Sequence, residues 1–493
     1  MGCSRQLQEQ ALRTLKELVK IKSAAEDPVV TPSGEKFPFG QGVQDAFAYM
    51  LSEAERLGFK TEDVDHYGGH IEFGEGQEIL GLPGHLDVVP AEGQWSFDPW
   101  CGDEQDGYIL GRGITDDKGP MVACLYAMKS LMDEGYEPAR RVRLILGLDE
   151  ETNWEGMRHY LEKAEMPDFG FSPDGEFPII NGEKGNVQFH LARKLGKPSG
   201  KGLILTRLSG GTARNIVPDS ARAVIRWELQ DAKEKYQEIR SMLREFCGET
   251  GYRLKARGMG KSLEITAEGH ACHGADPQDG VNAIAVLIEF LGRLDFVSDD
   301  LTGFIDFYNN YIAFDPYGGK LGIDRQDPQY GKLTVNSGVI AYDRDSVSIS
   351  MDIRFPGSVT TAEIYDKIQP VLDQYSIGVV KGREEAPFRM DPADPLPKAL
   401  IDVYREITGD KDNPPKVVGQ ATYAQSCRNT LAYGALFPGD PDIMHQVDEK
   451  LEIRRFYQTI DIYREAIRRL SQPEFQFGAE GSGLEQTAPE EMD

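Results

Sequence analysis

Apolar residues recur at helical spacing through residues 7–21 (LQEQALRTLKELVKI) and 44–58 (QDAFAYMLSEAERLG), and each stretch predicts an amphipathic helix. The texture then shortens. Residues 78–83 and 141–148 (RVRLILGL) are brief apolar runs of strand length. Between them, 118–136 (KGPMVACLYAMKSLMDEGY) predicts a helix with a largely apolar surface and Gly135 near its end. A further helix is predicted at 154–164 (WEGMRHYLEKA). Strands alternating with helices predict an α/β layered domain with a buried, mostly parallel sheet.

After about residue 185 the pattern changes. Residues 220–230 (SARAVIRWELQ) alternate apolar and polar, as a half-exposed strand does. A charged helix is predicted at 231–247 and a strand at 252–257. The same order returns at 346–355 (SVSISMDIRF), 361–374 (TAEIYDKIQPVLDQ) and 376–380, and both first strands carry a late arginine, Arg226 and Arg354. This reads as a degenerate internal repeat, so the middle region is expected to be two similar halves. The first texture resumes between about 395 and 470. The expected organisation is one discontinuous domain, residues 1–184 and 386–470, interrupted by an inserted domain at 185–385. Residues 471–493, polar and rich in Gly, Pro and Glu, are expected to be a disordered acidic tail.

Composition narrows the class. The chain has 493 residues, 40% hydrophobic and 27% charged, which suits a soluble globular protein of more than one domain. Its 81 acidic against 54 basic residues give a formal charge of −27. That argues against nucleic acid or an anionic membrane as partner and leaves carboxylates available for metal. No apolar run approaches the ~20 residues that span a bilayer. The opening MGCSRQLQEQ lacks the apolar core of a signal peptide, and Gln6 stands where a myristoylation motif carries Ser or Thr. Cys3, Cys101, Cys124, Cys247, Cys272 and Cys427 are scattered with no CxxC pair, so reduced thiols in a cytoplasmic protein are expected.

Acids and histidines gather at the ends of the predicted strands. GHLDVVP puts His85 and Asp87 two apart, on one side of an extended strand. GRGITDDKG places Asp116 and Asp117 in a turn before a helix; LGLDEETNWEG places Asp149, Glu150 and Glu151 after a strand. FSPDGEFP adds Asp174, and MHQVDE adds His445. Taken singly, Asp116 and Asp117 also suit a helix cap, Glu150 and Glu151 a solvated loop, and His159 a structural position inside a helix. Together they offer two imidazoles and several carboxylates where open α/β sheets bind ligands, a set that suits zinc, manganese or cobalt. More than four candidate ligands suggest two metals sharing a carboxylate, and the pair Glu150 and Glu151 offers one carboxylate for metal and one for proton transfer.

HLDVVP, GRGITDDKGP, LDEETNW, SPDGEFPIINGEKG, GHACHGADPQDGVNAI and MHQVDE, in this order over about residues 8–470, resemble the co-catalytic zinc metallopeptidases. That family includes aminoacylase, acetylornithine deacetylase and carnosinase-like dipeptidases, and the likeness is greatest to the peptidase V, or Xaa-His dipeptidase, branch. The resemblance implies a catalytic α/β domain with a mostly parallel mixed sheet flanked by helices, and an inserted α+β lid. His85, Asp116 and Asp174 would hold one zinc and Asp116, Glu151 and His445 the other, with Asp116 bridging through a cis Asp116–Asp117 peptide. Asp87 would orient His85, and Glu150 would be general base and acid. In the lid, His273, preferred over His270, would stabilise the oxyanion, while Asn215 and Arg354 would hold substrate. One stretch departs from the family: VGQATYAQ, 418–425, stands where GGGTYAR is common, so Gln420 and Ala421 replace glycines and Gln425 a basic residue. The implied activity is hydrolysis of dipeptides or short peptides with a free carboxylate. Rivals are a deacylase of N-acyl amino acids and a catalytically inactive metal-binding relative. Because the inserted region is long enough for two lid halves, a monomer is expected, with His273 serving its own chain.

Overall fold

The computed structural model describes residues 2–197, 200–229 and 231–477. They fall into two compact units, one from Met1–Gly182, Arg389–Lys416 and Ala421–Asp493, the other from Glu183–Phe388 with Val417–Gln420. The expected breaks at 184/185 and 385/386 compare with 182/183 and 388/389 here, and the excursion at 417–420 has no counterpart in the sequence reading.

The first unit is built on a mixed sheet. Its centre is four parallel strands in the order Thr430–Ala432, Phe169–Ser172, Ile79–His85 and Arg141–Gly147. Ile79–His85 is buried along its whole length, which is why it reads as an unbroken apolar run rather than an alternating one. Beyond Arg141–Gly147 the sheet continues antiparallel through Gly68–Phe73 and Lys60–Val64, so the parallel part is confined to the centre. Helices Arg5–Val19, Gln41–Leu57, Lys118–Asp133, Glu155–Lys163, Pro395–Thr408 and Ile453–Leu470 flank it. Lys118–Asp133 is buried over nearly every residue, matching its apolar composition.

The fold of this unit runs past residue 470, where the tail was expected to start. Ser471 is buried, Arg140 Nη1 donates to the carbonyls of Leu470 and Gln472, and Phe477 stacks on Phe169 at 4.4 Å. Two aromatic rings in an otherwise polar stretch, Phe475 and Phe477, supply the apolar contact that composition alone hides. Residues 478–493 of the expected tail lie outside the described residues.

The second unit is an eight-stranded antiparallel sheet backed by helices. Strand, helix, strand occurs twice: Ser220–Trp227, Ala232–Thr250, Arg253–Met259, and Ser346–Phe355, Thr361–Gln374, Gly378–Glu385. The two sets meet through one short pairing of Leu203–Gly210 with Thr334–Tyr342, at Ser209 with Ala341 and Gly210 with Ile340. Alternate residues of Ser220–Trp227 are buried, as the period-two pattern requires.

Candidate metal centre

The parallel strands of the first unit deliver the chemistry at their C-terminal ends. His85 is the last residue of Ile79–His85; Asp149, Glu150 and Glu151 follow Arg141–Gly147; Asp174 follows Phe169–Ser172. Asp116 lies in the turn before Lys118–Asp133, and its peptide to Asp117 is cis. His445 stands on the loop before Lys450–Glu452 with φ 63°, a left-handed conformation that surroundings must impose on a residue other than glycine.

These side chains converge. Asp116 bridges the two imidazoles: its Oδ1 lies 2.9 Å from His85 Nε2 and its Oδ2 2.9 Å from His445 Nε2. His445 Nε2 is also 2.9 Å from Glu151 Oε1, and His85 Nε2 is 3.8 Å from Asp174 Oδ2. Among the described residues, two groups bring donor atoms within 4.8 Å of one another: His85, Asp116, Asp174 and Asp116, Glu151, His445.

The supporting bonds explain the orientation. His85 Nδ1 donates to the backbone carbonyl of Asp87 at 2.9 Å, which leaves Nε2 turned toward Asp116 and the other candidate ligands. The Asp87 carboxylate is farther from that nitrogen, 3.4 Å, and instead accepts the backbone N–H groups of Glu150 and Glu151, each at 3.1 Å. Asp87 therefore ties the histidine strand to the glutamate turn. Gly84 permits close approach beside it: a Cβ there would meet Asp117 Oδ2 and Met121 Sδ, each at 2.3 Å.

Three supports are not evident from the sequence alone. Glu449, from the MHQVDE segment, accepts Arg112 Nη1 at 2.7 Å, Gly113 N at 3.1 Å, and Thr115 N and Oγ1 at 3.0 and 2.7 Å. It locks the loop before Asp116 to the loop that carries His445. Asp149 accepts the Tyr423 hydroxyl at 2.8 Å and Gly156 N at 2.9 Å, and burial raises its carboxyl to about 6. Lys118 donates to the carbonyls of Leu18 and Ile21, so its ammonium is not the counter-ion of the cluster. His159 pairs with Asp65 at 2.9 Å and stacks on Tyr67 at 4.1 Å, apart from the candidate ligands.

The charge balance of the donor set fits a cation. Burial pushes the Glu150 carboxyl well up, and Asp174, Glu151 and Asp116 add to the rise while His85 opposes it. Burial likewise raises Asp174 and Glu151, with Asp116 as the next contributor for each. Burial disfavours the His445 imidazolium, yet Glu151 and Asp116 outweigh it and hold that group up at about 12. Buried carboxylates packed against two imidazoles are the ordinary donors of divalent cations.

The second unit gathers the other sequence candidates. Asn215 and His273 lie on adjoining segments, joined by Gly274 N to Asn215 O at 2.6 Å and by the bridge between Ile216 and His273. Asn336 Nδ2 donates to the carbonyls of Arg214 and Ile216, both at 2.9 Å, and so fixes the residue between them. Ala275 N donates to His273 Nδ1 at 3.2 Å, which makes Nδ1 the accepting nitrogen of the ring. His270 pairs through its backbone with Val281. Arg354 is buried and forked onto Asp352 at 2.8 and 3.1 Å, and its Nη1 donates to Gly419 O at 2.9 Å. Gly419 is needed there, since a Cβ would meet that of Ala275 at 2.8 Å. Of the departing residues, Gln425 has a buried Nε2 with no hydrogen-bond partner among the described residues.

Comparison with known proteins bears on the whole chain. The model of peptidase family M20/M25/M40 matches residues 81–469. A provisionally assigned dipeptidase of Staphylococcus aureus is 34% identical over 468 residues, 94% of this chain and 98% of the relative. Human carnosine dipeptidase 1 aligns in structure with a TM-score of 0.52 at 16% identity, over 94% of this chain and 97% of its own. Aminoacylhistidine dipeptidase from Vibrio alginolyticus aligns with a TM-score of 0.52 at 15% identity, over 95% and 97%. At such identities the two structures speak for the fold.

Proposed function

Because the chain belongs to peptidase family M20/M25/M40, and so is a metal-dependent hydrolase, we propose that it is a di-zinc dipeptidase acting on dipeptides or short peptides with a free C-terminal carboxylate. The observation that carries this reading is the pair of donor groups sharing Asp116. His85, Asp116 and Asp174 would hold one ion and Asp116, Glu151 and His445 the other; manganese or cobalt suits the same donors. When bound, such ions polarise a carbonyl and lower the pKa of water.

The chain's own residues do the rest. Glu150 takes a proton from the attacking water and returns it to the leaving amine, a carboxylate beside the candidate ligand Glu151 that is left free for proton transfer. Asp87 keeps the Glu150 backbone and the His85 ring in register. His273 donates from Nε2 to the developing oxyanion, its Nδ1 already accepting from Ala275 N. Asn215 holds the substrate backbone. Arg354 binds the substrate carboxylate with the N–H groups left over from Asp352 and Gly419, those partners fixing its fork.

Glu150→Gln tests the assignment. Turnover of an unblocked dipeptide should fall by roughly 10²–10⁴-fold with metal content near that of the parent protein. Loss of metal, or an unchanged rate, would place proton transfer elsewhere. The same assay run with N-acetyl amino acids separates the dipeptidase from a deacylase using the same metal donors.

A further inference from the structure

Tyr423 lies in VGQATYAQ, a stretch to which the proposed function assigns no role. It is 274 positions from Asp149, yet it packs against the glutamate turn. Its short helix, Tyr423–Ser426, is capped by Thr422, whose Oγ1 accepts Ala424 N at 3.2 Å. The side chain is 1% exposed and shares a small apolar cluster with Ile145, Trp154, Met157 and Tyr160. A ring enclosed in this way is held in place by its neighbours and holds them in return.

Four parts of the site meet this one side chain. The rings of His85 and Trp154 stand edge to face with it, at 6.3 and 5.2 Å between centroids. Gly147 ends the strand that leads into the turn, and a Cβ there would overlap Tyr423 Cε2. The hydroxyl donates to Asp149 Oδ1 at 2.8 Å, while Asp149 Oδ2 accepts Gly156 N at 2.9 Å. Asp149 closes the turn, its carbonyl accepting Thr152 N and Trp154 N, both at 3.3 Å. Glu150 is held at both ends of its backbone: its N–H donates to Asp87 Oδ1 at 3.1 Å, and its carbonyl accepts the Trp154 indole N–H at 2.8 Å. Trp154 has φ 57°, a left-handed conformation that packing must impose, and Tyr423 is part of that packing.

We propose that Tyr423 is a positioning residue for proton transfer, setting the reach of Glu150 through Asp149 and Trp154. The inference rests on the assignment of proton transfer to Glu150. Buried behind the turn, Tyr423 offers no surface to a substrate, so its effect falls on the chemical step rather than on binding. Misplacing a reacting group by about 1 Å costs up to ~10²-fold in rate, and loss of one of several supports costs part of that.

Tyr423→Phe keeps the ring and removes the O–H, and is assayed in the metal-loaded full chain with an unblocked dipeptide. Its kcat should fall about tenfold with KM within about twofold of the parent value. Metal retention, measured by competition with a chelator, should be unchanged. In protein labelled with ¹⁵N-tryptophan, the Trp154 indole N–H, assigned by its loss in Trp154→Phe, should exchange with solvent at least about fivefold faster, with Trp95, Trp100 and Trp227 as before. Trp154→Phe removes the donor to the Glu150 carbonyl and should lower kcat similarly; it decides the question alone where Tyr423→Phe does not fold. In a Glu150→Gln background neither substitution should slow turnover further. An unchanged kcat, or an equal loss with and without Glu150, would overturn the proposal and leave the role of Glu150 standing. A loss of metal matching the loss of rate would mean that Tyr423 serves His85 instead, and would also overturn it. A fully active Glu150→Gln protein would remove the reading on which the proposal rests.

Discussion

Substitution of Glu449 probes how the chain holds its candidate metal ligands in register. Its carboxylate is 1% exposed and its partner Arg112 2% exposed, so solvent screens the pair very little. Burial raises the Glu449 carboxyl, and its bonds from Thr115, Arg112 and Gly113 only partly offset that rise. The intact pair is therefore not in itself a net source of stability at neutral pH, but breaking it is costly, because one charge stays buried alone. Glu449→Ala should destabilise the protein by about 3–5 kcal/mol, the usual range for a stranded buried partner. Glu449→Gln keeps the shape but turns an amide N–H₂ toward donors, at about 2–3 kcal/mol. Urea unfolding at fixed metal concentration reads both. Arg112→Ala together with Glu449→Ala should be less damaging than the sum, with a coupling of about 2 kcal/mol. Since Glu449 fixes Gly113 and Thr115 beside Asp116, metal retention should fall in parallel, measured by competition with a chelator. A Glu449→Gln protein with stability within about 0.5 kcal/mol of the parent and full metal content would refute the clamp.

Three further outcomes are expected. Gly84→Ala puts a Cβ 2.3 Å from Asp117 Oδ2 and Met121 Sδ, and should cost about 1–3 kcal/mol in thermal unfolding with weaker metal retention; a neutral result would show that Asp117 yields freely. Burial, with Arg143 and Arg141 nearby, pushes the His70 imidazole down to about 3. The unfolded chain takes that proton first, so stability present above pH ~6.5 is lost as pH falls toward 3, at up to ~1.4 kcal/mol per unit. His70→Gln should flatten unfolding free energy between pH ~6.5 and ~4.5 by up to about 2 kcal/mol, and parallel curves would refute the assignment. We propose that the chain works as a monomer in which His273 serves its own chain; light scattering should report one chain, and mixing Glu150→Gln with His273→Ala should restore no activity.

The candidate metal cluster is legible in sequence because each motif is local. Two residues apart on one strand gives His85 and Asp87 a common side, and strand ends collect Glu150, Glu151 and Asp174 at one edge. The supports are not local. Glu449 meets Thr115 across 334 positions and Tyr423 meets Asp149 across 274, and no period in the chain announces such pairs. The polar edge strand Lys60–Val64 is likewise invisible to an apolar-run criterion, since only Val64 in it is buried.

Arg354 carries a local signal that admits two roles, substrate holding and a strand-end ion pair. Asp352 lies two residues earlier, on the same side of the same strand, so the sequence DIR already contains the fork seen at 2.8 and 3.1 Å. A guanidinium buried beside one carboxylate keeps its charge without a substrate, and its plane is set in advance. Pre-orientation lowers the entropy lost when a second carboxylate arrives, so Asp352 favours rather than forbids the substrate role. Asp352→Asn separates these alternatives. If the fork serves substrate, KM for a dipeptide should rise several-fold with kcat little changed, and a ligand lacking the carboxylate should bind as before. If Arg354 is only a strand-end ion pair, stability should fall while KM stays constant, and the carboxylate-binding role would have to move to another residue.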